Sequence, residues 1–165
     1  IAQYINEAEA LAQGFEVSMK VRPIKSLRVV TNFTYQDVTL ASSDQIQNDS
    51  FVGVQIPNIP DIFFNSSIQY SFSPKLKKDD ELSFFWNYFL VDQFSVTYVI
   101  DEDNANPANL IPTQHQQDIG VSYTPTQRGF QFSFQVNNIT NAELFDNFRV
   151  PKPGRNFSIK INYSI

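Results

Sequence analysis

Apolar and polar residues alternate one for one through most of this chain, and no other feature restricts its fold so tightly. In the closing stretch Phe157, Ile159, Ile161, Tyr163 and Ile165 alternate with Ser158, Lys160, Asn162 and Ser164. A period of two sends successive side chains to opposite faces of an extended strand. Pro151, Pro153 and Gly154 stand just ahead, where they exclude helix and let the chain turn.

The same pattern recurs upstream. Phe15, Val17, Met19 and Val21 form the apolar face of a first strand ending at about Arg22, and Pro23–Ser26 is a tight turn. Leu27, Val29, Thr31, Phe33 and Tyr35 make a second strand; Phe64, Ser66, Ile68, Tyr70 and Phe72 a third. Leu82, Phe84, Trp86, Tyr88 and Leu90 give the fourth its aromatic face, although Phe85 and Phe89 interrupt the polar side. Ile119, Val121 and Tyr123 mark the fifth, and Phe130, Phe132, Phe134 and Val136 the sixth. With the closing stretch the chain is predicted to form seven strands, with one short helical turn near Asn141–Phe145.

The connections alternate short, long, short, long, short, long. In an up-and-down antiparallel meander, all short turns then fall at one end of the sheet and all long loops at the other. The long ones are Ala41–Ile59, Ser95–Pro112 and Asn138–Pro153. Outer-membrane barrels have this asymmetry, with short turns on the periplasmic side and long loops outside. Charge divides the same way: Arg22, Lys25, Lys75, Lys77, Lys78 and Arg128 lie at short turns, while Asp44, Asp49, Asp101, Glu102 and Asp103 lie in long loops.

Composition separates a membrane barrel from a soluble sandwich or lipocalin-like barrel. Only 18% of residues are charged, and the polar faces are built from Ser, Thr, Asn and Gln, which suit a wet lumen better than a water-facing exterior. Tyr35, Tyr70, Phe72, Tyr123 and Tyr163 near strand ends fit interfacial aromatic girdles. No apolar run reaches the roughly eighteen residues of a transmembrane helix, which leaves a membrane β-barrel open. The net charge of -5 argues against nucleic acid as a partner. An odd number of strands does not suit a complete bacterial barrel, in which both termini lie on the periplasmic side. The expectation is therefore the C-terminal segment of a larger barrel, residues 1–165, with earlier strands upstream. A small complete outer-membrane barrel would need an eighth strand before Gly14.

Four motifs, in order along the chain, carry a resemblance. Gly14-Phe15-Glu16-Val17 resembles a "G-[VF]-E" strand start, and Ile56-Pro57-Asn58-Ile59-Pro60 an "[IL]-P-[NG]-x-P" return from an outer loop. Val136-Asn137-Asn138-Ile139-Thr140-Asn141-Ala142-Glu143-Leu144-Phe145 is similar to "V-x-N-L-x-[ND]-x-x-Y", and Pro153-Gly154-Arg155-Asn156-Phe157 to "P-G-R-[ST]-[FY]" before a last strand. All four belong to TonB-dependent outer-membrane receptors. The resemblance implies a barrel of about 22 strands with a plugged lumen, located in the bacterial outer membrane. Such receptors import scarce ligands, commonly ferric siderophores, vitamin B12 or glycans, with energy passed through TonB. It also implies partners: membrane lipid, the plug domain, the TonB complex, the outer-membrane assembly machinery and a small-molecule ligand. The alternating end, Phe157, Ile159, Ile161, Tyr163 and Ile165, corresponds to the family's assembly signal, with Ile165 where a terminal aromatic is usual.

Little else carries chemistry. His115 is the sole histidine and there is no Cys, so neither a histidine metal cluster nor a thiolate site is expected. Asp101, Glu102 and Asp103 lack the glycine and closing glutamate of a calcium loop. These three and His115 are the candidate ligand-contacting residues of the outer loops. No cofactor and no enzymatic activity are expected. The alternative class is a soluble all-β ligand-binding module whose aromatic faces form a core.

Overall fold

A computed structural model describes residues 9–42, 51–76, 80–100, 106–125 and 129–163. Seven strands form one antiparallel sheet: β1 (Glu9–Ile24), β2 (Leu27–Ser42), β3 (Ile62–Phe72), β4 (Glu81–Val91), β7 (Gln114–Thr124), β8 (Phe130–Asn137) and β9 (Asn156–Tyr163). Between β4 and β7 lies a small separate ribbon of β5 (Phe94–Ser95) and β6 (Leu110–Ile111), preceded by a single 3-10 turn at Pro107–Asn109. The sheet order is β1-β2-β3-β4-β7-β8-β9, so each strand pairs with its sequence neighbour in the sheet, and β1 and β9 are its two edges. Strands β1 and β2 run 16 residues each, and β3, β4 and β7 run 11. At a tilt of ~45°, 11 residues span roughly 25 Å, the height of the apolar band of an outer-membrane barrel.

Register keeps the two faces chemically distinct across the sheet. Val17 lies opposite Phe33, Phe33 opposite Phe64, and Phe64 opposite Leu90. Farther along, Trp86 pairs with Ile119, Ile119 with Val136, and Val136 with Phe157. One face is thus mainly apolar, with Thr31, Ser66, His115 and Gln117 as its polar members toward the middle and the loop end, and it stays exposed, with Phe132 at 44% and Ile161 at 62% exposure and no second sheet packed over them. That arrangement excludes a sandwich core. Near the short-turn end aromatic rings crowd together: Tyr70 and Phe72 lie 5.8 Å apart and Phe130 and Tyr163 4.6 Å apart.

The opposite face is a hydrogen-bonded polar lattice. Ser18 Oγ donates to Asn32 Oδ1 at 2.8 Å, and Asn32 Nδ2 donates to Asn65 Oδ1 at 2.8 Å. Ser71 and Ser83 join hydroxyls at 2.7 Å, and Asn137 Nδ2 donates to Asn156 Oδ1 at 2.7 Å. Phe85 breaks this lattice for a packing reason. Its partner across the β4–β7 ladder is Gly120, and the Phe85 ring occupies the space a Cβ would need there. The ring thereby covers a stretch of backbone that glycine alone would leave bare.

No helical turn forms at Asn141–Phe145, contrary to the sequence expectation. The segment is instead a side-chain-stapled loop. Asn138 Oδ1 accepts from Ala142 N at 2.9 Å and Asn138 Nδ2 donates to Ala142 O at 2.9 Å. Both asparagines adopt positive φ, 50° at Asn138 and 54° at Asn141. Asn tolerates that region better than other side-chain-bearing residues and competes for nearby backbone groups.

Adding a methyl group at Gly120 forces the Phe85 ring or its strand to shift. Gly120→Ala in the complete protein is expected to cost about 1–3 kcal/mol, read as an earlier heat-induced mobility change on electrophoresis. Combining it with Phe85→Ala is expected to recover part of the loss.

Candidate functional site

The three long connections gather at one end of the sheet, and two of them are tied together. In loop 1 (43–61), the segment from Gly53 folds back along the upper part of β2. Gly53 N donates to Leu40 O at 2.8 Å, Leu40 N to Val54 O at 3.0 Å, and Ile56 N to Val38 O at 2.9 Å. Loop 2 (92–113) contains the β5–β6 ribbon, in which Phe94 opposes Ile111. Asn58 N donates to Ser95 O at 2.8 Å, and the Phe51 and Tyr98 rings meet edge-on at 5.4 Å, so loops 1 and 2 form one body. Leu40, Phe94, Ile111 and Leu144 are the buried apolar side chains among the described residues. All four lie at this end.

Loop 3 (138–155) is anchored to β7. Two buried side chains from the polar face of β7 hold its backbone: Asp118 Oδ1 accepts from Asn138 N at 2.9 Å, and Gln114 Oε1 accepts from Phe145 N at 2.6 Å. Ile139 N also donates to Gln117 O at 2.8 Å. Asn141 Oδ1 accepts from Arg155 N at 2.9 Å and lies where a side chain at Gly154 would collide with it. The asparagine-rich and Pro-Gly-Arg motifs read from sequence are therefore two halves of one joint.

Beyond the joint the loop makes a hairpin. Lys152 N donates to Leu144 O at 2.7 Å, and Asp146 closes the tip by accepting at Oδ1 from Phe148 N at 2.9 Å and Val150 N at 2.8 Å. Phe148 is 84% exposed at that tip, next to Arg149 with φ of 60°. An aromatic ring and a guanidinium are thus presented on a loop whose backbone is already fixed. Such preorganisation lowers the ordering cost of binding. Sequence reading did not single out these two residues; the Asp-x-Phe-Arg turn between the two motifs was the available signal.

Of the sequence-derived ligand candidates, His115 falls within the described residues. His115 stands on the apolar face, with Nδ1 2.8 Å from the Tyr88 hydroxyl and the two rings stacked. Asp101, Glu102 and Asp103 lie outside the described residues. Phe157, Ile159, Ile161 and Tyr163 line up on the exposed apolar face of β9, and Ile165 lies outside the described residues. A shallow depression of about 430 Å³ is walled by Ile68, Phe84, Trp86, Ile119 and Phe134, on the apolar face and away from the loop end. Among the described residues no group of three or more His, Asp or Glu is arranged to hold a metal ion.

This architecture, a polar-lined and apolar-backed meander with every long loop at one end, has a match at the level of sequence family. The family described as "TonB dependent receptor-like, beta-barrel" matches residues 1–139. The chain belongs to the TonB-dependent receptor β-barrel family. Two solved receptors share its fold. One is BauA, the ferric preacinetobactin receptor of Acinetobacter baumannii, at a TM-score of 0.74 and 18% identity, covering 96% of this chain and 23% of that one. The other is Fiu, the ferric-catecholate import receptor of Escherichia coli, in a closed form, at a TM-score of 0.64 and 17% identity, covering 93% and 21%. The chain thus spans less than a quarter of either receptor. No curated relative matches by sequence. TonB-dependent receptors are outer-membrane transport proteins and not enzymes.

Two predictions concern this end of the TonB-dependent receptor sheet. Replacing Asn138 by Ala strips partners from Ala142 while burying a poorer cap, and Asn141→Ala unties Arg155. Each is expected to cost about 1–3 kcal/mol locally, seen as faster amide exchange at Ala142 or Arg155 with the strands unaffected. Asp61 accepts from Gln55 Nε2 at 2.9 Å. Burial, then the nearby Asp37 and Asp92 carboxylates, raise its pKa above the usual carboxylate value. The folded state therefore holds that proton more tightly than the unfolded one. Its favourable contribution is complete below the ordinary carboxylate pKa and is lost as pH rises through the raised value. Asp61→Asn is expected to slow exchange at Gln36 and Asn58 at neutral pH and to have little effect in acid.

Proposed function

We propose that these 165 residues form the C-terminal part of the barrel of an outer-membrane receptor that imports a ferric siderophore with energy supplied through TonB. The observation that carries the reading is the fixed loop 3, which displays Phe148 and Arg149 at the long-loop end of a family-typed barrel wall. Both solved relatives are named for ferric-siderophore ligands, and an aromatic–guanidinium pair is suited to an anionic, aromatic chelate. In this reading the apolar face meets lipid, the polar face lines the lumen, and the plug domain precedes this segment. The alternating face of β9, with Ile165, is read by the assembly machinery.

Ligand selectivity then resides in loops 1, 2 and 3. The acidic run Asp101–Asp103 in loop 2 flanks the ligand or meets a cationic group on it. Deleting the complete gene in its host and measuring uptake of iron from a panel of ferric siderophores tests the function. Uptake of one of them is expected to be lost and restored by the gene. Unaltered uptake across the panel, with growth on vitamin B12 or a glycan impaired instead, would replace the siderophore with that ligand. Within the complete receptor, Phe148→Ala combined with Arg149→Ala is expected to weaken binding about tenfold or more, some 1.4 kcal/mol. Exchange of residues 95–112 for a neutral loop of equal length is expected to change affinity without impairing assembly.

A further inference from the structure

The depression on the apolar face has a shape and a border that general contact with lipid does not require. It is a trough between two rungs of the ladder, with Trp86, Ile119 and Val136 on the loop side and Phe84, Val121 and Phe134 on the short-turn side. The backbone of Phe85 and Gly120 lies between the rungs, and the Phe85 ring closes the sheet behind it. Its volume is about 430 Å³. Rungs two residues apart stand about 7 Å from each other along a strand, which admits a run of methylenes but not a helix about 10 Å across. Further strands can join this sheet only at its edges, β1 and β9, and a lumen lies behind the opposite face, so neither covers the trough.

One polar group borders it. Gln117 stands one rung nearer the loops on the same face, and Trp86 Nε1 donates to its Oε1 at 3.2 Å. An indole N–H can only donate, so the Gln117 oxygen is committed and its Nε2 is left over. Among the described residues nothing accepts from that Nε2. Other polar side chains of this face pair with one another, Thr31 with Ser66 at 3.2 Å and Tyr88 with His115 at 2.8 Å. At a tilt of ~45°, Gln117 sits about 7 Å below the loop end of β7, within the apolar band, where an unpaired donor is costly. The acyl carbonyl is the acceptor that membrane lipids carry directly above their chains. We infer that the trough holds one acyl chain of an outer-leaflet membrane lipid, whose ester or amide carbonyl accepts from Gln117 Nε2; the inference rests on the receptor reading above.

The test uses the complete receptor, purified in detergent and titrated with a phosphatidylcholine brominated at mid-chain, because bromine quenches tryptophan only near contact. Trp86 is the one tryptophan of these residues, and subtracting the emission of a Trp86→Phe receptor isolates its signal. Quenching is expected to saturate at one lipid per receptor. Val121→Phe with Val136→Phe fills the trough and is expected to raise the lipid concentration for half-quenching about tenfold, the worth of roughly two buried methylenes. An ether-linked brominated analogue, which lacks the carbonyl, is expected to bind about fivefold more weakly than the ester to the native receptor and equally well to Gln117→Leu. If the filled variant fails to assemble, the comparison of ester with ether decides alone. Quenching that rises with lipid without saturating, alike in native and filled receptors, shows annular contact only and overturns the inference. So does an ester preference that survives Gln117→Leu. A co-purifying polypeptide that shields Trp86 from the brominated lipid assigns the trough to a protein and overturns it too. A complete protein that stays in solution without detergent fails the receptor reading itself, whereas one that is membrane-embedded but not saturably quenched fails the lipid site alone.

Discussion

Every element of this molecule answers to the inter-strand backbone ladder. A wall with hydrocarbon on one side has no water there to satisfy stray N–H and C=O groups, so each strand must find them on its neighbour. The ladder fixes register, and register fixes which residues share a face: the row from Val21 through Val29, Ile68, Trp86, Ile119 and Val136 to Phe157 is apolar at every step. A slip of one residue at any strand would send Phe and Ile into the lumen and Asn and Ser into lipid. The Phe85–Gly120 pair is the local exception that protects the rule, since the ring shields ladder hydrogen bonds beside a residue with no side chain of its own.

Strand number, pairing order and the division between faces were legible in the sequence because a period of two has a single geometric meaning. Loop placement followed from connection lengths alone. The joint between Asn138, Asn141 and Gly154 was visible only as two family-like motifs, since nothing in a linear pattern says that residues 14 apart share a hydrogen bond or that a glycine makes room for a carboxamide. The helical turn expected at Asn141–Phe145 failed for a related reason. Asn side chains that capture backbone groups offer the chain an alternative to helix, and propensity does not report which option tertiary anchors will select. Anchoring by Asp118 and Gln114 selects the stapled loop. The β5–β6 ribbon, two residues a side, is too short to show any period. Phe148 and Arg149 escaped notice because an exposed turn leaves no pattern of burial behind it.

Charge follows the axis of the sheet. Asp37, Asp61 and Asp92 stand where long loops leave the strands, and Arg22, Lys25 and Arg28 where short turns join them. Loop 3 departs from this order by carrying Arg149, Lys152 and Arg155 to the acidic end. A chelate with negative charge would meet repulsion from the carboxylates near loops 1 and 2 and attraction at loop 3. For the anionic ligand proposed above, orientation on arrival would be set at the mouth before any close contact forms.

Loops 1 and 2 grip each other through Asn58–Ser95 and Phe51–Tyr98, whereas loop 3 is fastened to β7 through Asp118, Gln114 and its own asparagines. The mouth is thus assembled from two cartridges with separate mountings. Selection acting on the Phe148 tip need not disturb the packing beneath loops 1 and 2, and a change in their shared ribbon leaves the loop 3 joint standing. On the receptor reading proposed above, a wall built this way would acquire a new cargo by replacing one cartridge at a time.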